Sequence, residues 1–183
     1  VVMDTDSRPI RELWEHSYRV AFYAFQLTKH SGRREIIDDA YVAGILHDIG
    51  KILFSTSHPE LMQHITAFCE ERQLPTSLLE ELSAGFNHAE VAAMMAEKWN
   101  FPPKLINALR YQNTPENAPP QFYSLAAAVY LGSSLCEYER GSMPFVFIDQ
   151  EILNDYGIRS EPGLKALLKR MSDRFEQESQ EVQ

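Results

Sequence analysis

Histidine, aspartate and lysine stand close together in Leu46-His47-Asp48-Ile49-Gly50-Lys51, within an otherwise apolar stretch from Ala40 to Phe54. A carboxylate or imidazole among apolar neighbours costs free energy unless it is hydrogen-bonded, paired or bound to a metal. The pair therefore calls for partners elsewhere in the chain. His16 shares a helical stripe with Leu13, Ser17, Val20, Ala24 and Leu27, so it points inward. His88 opens another strongly helical segment. Imidazole nitrogens and a carboxylate oxygen converging from several helices suit one divalent transition metal such as Fe, Mn, Ni or Zn. Bundle interiors host such sites. Neighbouring helical positions diverge by about 100°, so His47 and Asp48 can serve a metal and a second ligand at once.

The candidate metal ligands are thus His16, His47, Asp48 and His88, with Lys51 and the polar residues near Tyr111, Gln112 and Ser133 beside them. A plainer account exists for each alone. An inward histidine is most often bonded to a backbone carbonyl, and Lys51 reads as a solvated lysine stabilised by a helix dipole. The case for a site rests on the set.

The elements that must position these residues read as helices. One runs from Ile10 to the stop at His30-Ser31-Gly32. Asp38-Asp39 caps a second helix, which carries the His-Asp pair in its middle, bends or ends near Gly50 and resumes briefly towards Phe54. A third runs from Ser57 to Gln73 with Leu61, Ile65, Phe68 and Cys69 inward, and a short one from Thr76 or Ser77 to Ala84. His88 to Trp99 presents a stripe of Val91, Met94, Met95 and Trp99. Phe101-Pro102-Pro103 starts a helix ending near Tyr111-Gln112, Pro115 to Pro120 is a loop, and Phe122 to Tyr138 is small-residued enough to cross a bundle. Phe145 to Ile148 reads as extended, Asp149 caps a helix to Tyr156, and a last amphipathic helix uses Leu164, Leu167, Leu168, Met171 and Phe175. Nothing alternates like a sheet, so the class is all-α: a compact multi-helix bundle. One domain spans 10–177, with a flexible segment over 1–9, a C-terminal helical extension over 149–177 and a fraying polar tail over 178–183.

Composition bounds the rest. The 183 residues carry a net charge of -9, which disfavours nucleic acid and anionic membrane surfaces as partners. No apolar run approaches the roughly 20 residues of a membrane span, and the two cysteines, Cys69 and Cys136, lie in helical patterns, as suits a cytoplasmic protein. The aromatic faces at Phe22, Tyr23 and Phe25, or at Phe145 and Phe147, can serve a protein partner or a second copy in a homodimer.

Leu46-His47-Asp48-Ile49-Gly50-Lys51 resembles the HDxGK signature of the HD superfamily, which includes metal-dependent phosphohydrolases. Leu13-Trp14-Glu15-His16-Ser17 resembles its first-histidine helix. Asn87-His88-Ala89-Glu90-Val91, followed by Glu97-Lys98-Trp99-Asn100-Phe101-Pro102, is similar to the HDOD branch, bacterial signalling modules often joined to receiver or other domains. The resemblance covers Leu13 to Tyr138 and implies the HD-domain helical fold. Its departures are informative. The late aspartate of the catalytic pattern falls at Gly132-Ser133-Ser134, and the histidine pair of the HD-GYP phosphodiesterases falls at Tyr111-Gln112. Three imidazoles and one carboxylate can hold a single metal but support a two-metal centre poorly. The resemblance thus implies a non-catalytic signalling module acting through protein or small-ligand binding. The alternative is a metal-dependent phosphohydrolase acting on a nucleotide, a cyclic nucleotide or a cyclic dinucleotide, with Asp48 and Lys51 in catalytic roles. HDOD domains carry a helical portion before the first-histidine helix, and this chain begins Val1-Val2, so it is expected to be part of something longer.

Overall fold

A computed structural model of the chain describes residues 8–57, 59–72, 80, 85 and 87–181. Among them every regular element is helical. In chain order these are α1 (Arg8–His30), α2 (Ile37–Leu46), α3 (Ile49–Ser57), α4 (Pro59–Arg72), α5 (His88–Lys98), α6 (Pro103–Arg110), α7 (Pro120–Glu139), α8 (Gln150–Asp155) and α9 (Glu161–Glu181). The short helix expected over 76–84 lies outside the described residues except for Glu80, which is helical. No described helix is long and apolar enough to cross a membrane.

The centre of the bundle is α1, buried at Val20, Ala21, Tyr23, Ala24 and Leu27 between α2 and α7. Glycines let the helices meet backbone to backbone. A Cβ on Gly44 of α2 would lie 2.5 Å from the Ala21 Cα, and one on Gly132 of α7 would lie 2.9 Å from the Val20 carbonyl oxygen. Gly50 of α3 sits so close to the His88 main chain that a Cβ there would overlap the His88 carbonyl. Alanines continue the theme: α7 buries Ala126, Ala127 and Ala128, and α5 buries Ala89, Ala92, Ala93 and Ala96. Where α1 ends, Gly32 takes φ 77°. The Arg33 N–H then reaches the Thr28 carbonyl at 2.9 Å and the Gly32 N–H that of Lys29 at 3.3 Å, closing the helix in a Schellman motif.

The structure corrects several expectations from the sequence. The His-Asp pair is not inside one helix: α2 ends at Leu46, and His47 and Asp48 form the turn into α3. Asp38 and Asp39 occupy the first turn of α2 rather than its cap, which is Ile36 after a 3-10 turn. On α4 the inner face is Met62, Ile65 and Cys69, while Leu61 and Phe68 are exposed and Arg72 stacks over the Phe68 ring. On α5, Met94 and Trp99 face solvent, because the alanine side is the one that can approach α3 and α6 closely. Residues Phe145–Phe147 form a 3-10 turn, closed by Phe147 N–H to the Pro144 carbonyl at 3.0 Å, instead of an extended piece. Pro115–Asn117, within the expected loop, is likewise a 3-10 turn with Pro115 buried. Phe22 and Tyr23 are core residues and so unavailable to a partner, whereas Phe147 is exposed. Helix α9 continues to Glu181, through the segment expected to fray, with an Arg174–Glu178 pair at 2.9 Å one turn apart.

The C-terminal helices complete the core. Asp149 caps α8 by accepting from the Glu151 and Ile152 N–H groups at 2.8 and 3.0 Å, and the Tyr156 hydroxyl donates to the Ser124 carbonyl of α7 at 2.9 Å. Leu164, Leu167, Leu168 and Met171 of α9 are buried in the same cluster as α1 and α7. The close α1–α2 contact carries a direct test. Gly44→Ala must push the helices apart and should cost about 1–3 kcal/mol or more of stability, read as a lowered denaturation midpoint; a loss under about 0.5 kcal/mol would sink the packing argument.

Candidate metal centre

One helix interior and two helix ends meet at one point. His16 comes from α1, one turn before Val20. His47 and Asp48 come from the α2–α3 turn, next to the Gly44 contact. His88 is the first residue of α5, held by the Gly50 contact. All four are buried, with Asp48 only 1% exposed. The structure therefore brings together every ligand expected from the sequence.

The Asp48 carboxylate is the hub. Its Oδ2 lies 3.7 Å from His16 Nε2 and 3.4 Å from His47 Nε2, and its Oδ1 lies 3.6 Å from His88 Nε2. His16, His47 and Asp48 each offer a donor atom within 4.8 Å of the others, and His88 approaches by way of the other carboxylate oxygen. These separations exceed the roughly 2.7–3.2 Å of an N–H···O hydrogen bond. Two ligands at ~2.1 Å from a tetrahedral ion stand about 3.4 Å apart, so the spacing suits groups arranged around a metal. His47 Nε2 and His16 Nδ1 are buried without a hydrogen-bond partner, although buried polar atoms are normally satisfied. His47 Nδ1 bonds the Gly44 carbonyl at 2.8 Å, which makes it the protonated nitrogen and leaves the Nε2 lone pair facing Asp48. The residues present fit a metal.

Charge distribution agrees. Burial, followed by the proximity of His47, lowers the His16 pKa to about 3, and burial lowers His47 as well, so both rings are neutral near pH 7. Burial works against ionising Asp48, but His47, Lys51, His88 and His16 more than offset it and hold the carboxyl well below its usual range. With His16 and His47 neutral, Lys51 is the permanent cation of that group. Its ammonium lies 3.0 Å from both carboxylate oxygens of Asp48. That is not the solvated lysine of the plainer account. Asp48 also precedes the first residue of α3, where the helix dipole favours an anion.

The expected accessory positions resolve differently. Gln112 is buried, and its amide donates to the His47 carbonyl at 2.8 Å, so it fixes the backbone of the turn. On α7, Gly132 is pressed against α1 and Ser134 is buried. The charge that α7 directs at the centre belongs to Glu137, one turn beyond Ser133. Burial raises its carboxyl pKa, Lys51 pulls it down and Asp48 raises it again. Glu80 is a second carboxylate missed in the sequence. Its Oε2 accepts from both the His88 backbone N–H at 2.8 Å and His88 Nδ1 at 2.6 Å. Those bonds outweigh its burial and lower its pKa. A Glu137 four residues after Ser133 on one helical face was a readable signal; Glu80, among leucines at Leu78, Leu79 and Leu82, offered a weaker one.

A pH dependence follows. Below about pH 6.5 the unfolded chain protonates His16 and His47, while folded His16 stays neutral down to about 3. The unfolded state then binds more protons, so stability is full above about pH 6.5 and falls as pH drops towards 3, by up to ~1.4 kcal/mol per pH unit per histidine. Denaturant titrations of metal-free protein at pH 7.5 and 5 should show this loss and a shallower one in His16→Gln; equal slopes in the two proteins would refute the assignment.

Comparison with known proteins agrees with the geometry. An uncharacterized protein of Treponema pallidum (strain Nichols) is 29% identical over 178 residues, covering 97% of this chain. The chain spans only 34% of that protein's length. Among solved structures, a candidate signal-transduction protein from Marinobacter aquaeolei VT8 superposes with a TM-score of 0.73 at 23% identity, covering 93% of this chain and 39% of that one. A candidate phosphohydrolase from Shewanella amazonensis SB2B gives a TM-score of 0.65 at 24% identity, covering 94% and 62%. Likeness at that identity shows the fold. The HDOD domain pattern itself matches residues 3–115, which include His16, His47, Asp48 and His88. With more than half of its length matched and its four candidate polar residues gathered at one point, this chain belongs to the HDOD domain family.

Proposed function

We propose that the chain is a signal-transduction module of the HDOD type that acts by binding a protein partner, a fused domain or a small ligand, and that its His-Asp centre holds at most one divalent transition metal, from among Fe, Mn, Ni and Zn. The carrying observation is the donor set. Asp48 is the single carboxylate among His16, His47 and His88, and Lys51 already lies against both of its oxygens. Glu80 is engaged by His88, α7 has serine where a further aspartate is expected, and burial biases the nearby Glu137 towards its neutral form. A bridged two-metal centre needs more anionic oxygens than this.

His16, His47, Asp48 and His88 would hold the ion, which as a Lewis acid polarises a bound oxygen. The residues of the chain do the remaining work. Burial keeps His16 and His47 neutral, the form in which imidazole donates to metal. Gln112 and the Gly44 carbonyl hold the turn and the His47 ring. The candidate signalling name of the Marinobacter relative supports the reading, as does the shorter span of this chain, which leaves its relatives room for a joined domain. A second reading, a metal-dependent phosphohydrolase acting on a nucleotide or cyclic dinucleotide, draws on the fit of the four ligands and on the Shewanella relative. It requires Lys51 to leave Asp48 in order to steady a phosphate. The net charge of -9 also runs against an anionic substrate. We further propose a cytoplasmic location and, for Phe147 and its exposed neighbour Val146, a place in partner or homodimer contact.

Metal analysis and turnover assays decide between these readings. Purified protein should carry up to one equivalent of transition metal, lost in His47→Ala, and should not turn over cyclic dinucleotides or nucleoside phosphates. Turnover that disappears in Asp48→Asn would overturn the signalling-only reading.

A further inference from the structure

We infer that Glu80 is a positioning residue of the centre: by accepting the His88 Nδ1 proton it fixes the tautomer that turns the Nε2 lone pair towards Asp48. The geometry is specific. One oxygen, Oε2, takes both the ring Nδ1 at 2.6 Å and the backbone N–H of the same residue at 2.8 Å. That backbone group lies in the first turn of α5, where it has no acceptor within the helix. Asn87 caps the next two N–H groups, of Ala89 and Glu90, at 3.0 and 3.1 Å. Glu80 therefore holds main chain and ring together, and the ring has no freedom to exchange its nitrogens.

An ionised carboxylate can only accept, so the shared proton sits on Nδ1. In a neutral ring Nε2 is then bare. It stands 3.6 Å from Asp48 Oδ1, too far to be engaged in a hydrogen bond. His47 is arranged alike through a different acceptor, the Gly44 carbonyl, so two rings from separate junctions present the same nitrogen to the same carboxylate. His16 differs: its Nδ1 has no hydrogen-bond partner, and its orientation rests on packing against the His47 ring at 5.3 Å between centroids. Glu80 lies outside the four expected ligands, and its side chain is fully buried. A buried carboxylate aimed at a histidine's far nitrogen is the arrangement that orients ligating imidazoles and raises their basicity. The inference bears on metal affinity only if the metal reading above holds; the tautomer does not depend on it.

The test separates the two. In metal-free protein with 15N-labelled histidine, long-range 1H–15N spectra should show His88 protonated at Nδ1 and bare at Nε2, and Glu80→Leu should shift it towards the opposite tautomer. Competition of Zn2+ between the protein and a chelator should show binding weakened about 10–100-fold in Glu80→Leu. Should that variant fail to fold, Glu80→Gln serves: the amide oxygen keeps Nδ1 protonated while loss of the charge weakens Zn2+ by about tenfold. An Nε2–H tautomer in the wild type overturns the inference, as does a His88 tautomer unmoved by Glu80→Leu or a Zn2+ affinity unmoved by both substitutions. Complete loss of Zn2+ in Glu80→Gln, as from removing a ligand, overturns it too. A tautomer shift in a protein that binds no Zn2+ upholds the role of Glu80 and refutes the metal reading.

Discussion

Close approach of helix backbones governs this domain. Gly44 against Ala21, Gly132 against Val20 and Gly50 against His88 are contacts that leave no room for a side chain. Each sits within four residues of a polar group of the centre or of the α1 segment that carries one. Drawing α2 onto α1 places His47 beside His16, and drawing α3 onto α5 places His88 beside Asp48. The alanine-rich faces of α5 and α7 extend the same tight packing, and interiors at such density transmit displacement rather than absorbing it. The site is thus a consequence of how near the helices come.

A carboxylate at that depth needs compensation, and the structure supplies it from the chain itself. Asp48 has Lys51 across both oxygens, the start of α3 behind it and three imidazoles around it. Pairing of this kind offsets desolvation without contributing much net stability. What it contributes is definition: the Nδ1 atoms of His47 and His88 are each held by one acceptor, which leaves their Nε2 atoms turned to Asp48. Glu80 and Glu137 extend the network outward, so the polar centre is larger than the motif that marks it.

The chain announces part of this plainly. Heptad-like spacing at Leu164, Leu167, Leu168 and Met171 identifies the inner face of α9, and the small residues of α7 identify the helix that crosses the core. The inward placement of His16 follows from its stripe. Other features are silent in the sequence for physical reasons. Periodicity finds a stripe without saying which of two faces can approach a neighbour, so Met94 and Trp99 read as core although the alanines opposite them are buried. The break between Leu46 and Ile49 has no proline to mark it; there the Gln112 amide and the Gly44 carbonyl fix His47. Glu80 and Glu137 look like any solvated helical glutamate until the fold turns them inward.

Gln112 ties a late part of the chain to the centre. Its amide is bonded to the His47 carbonyl at the turn between α2 and α3, 65 residues away in the chain. Any side chain at this position without a donor of the same reach would leave that carbonyl buried and unpaired. Position 112 is therefore tied to the geometry of the His-Asp turn, a constraint that the exposed faces of the domain do not share.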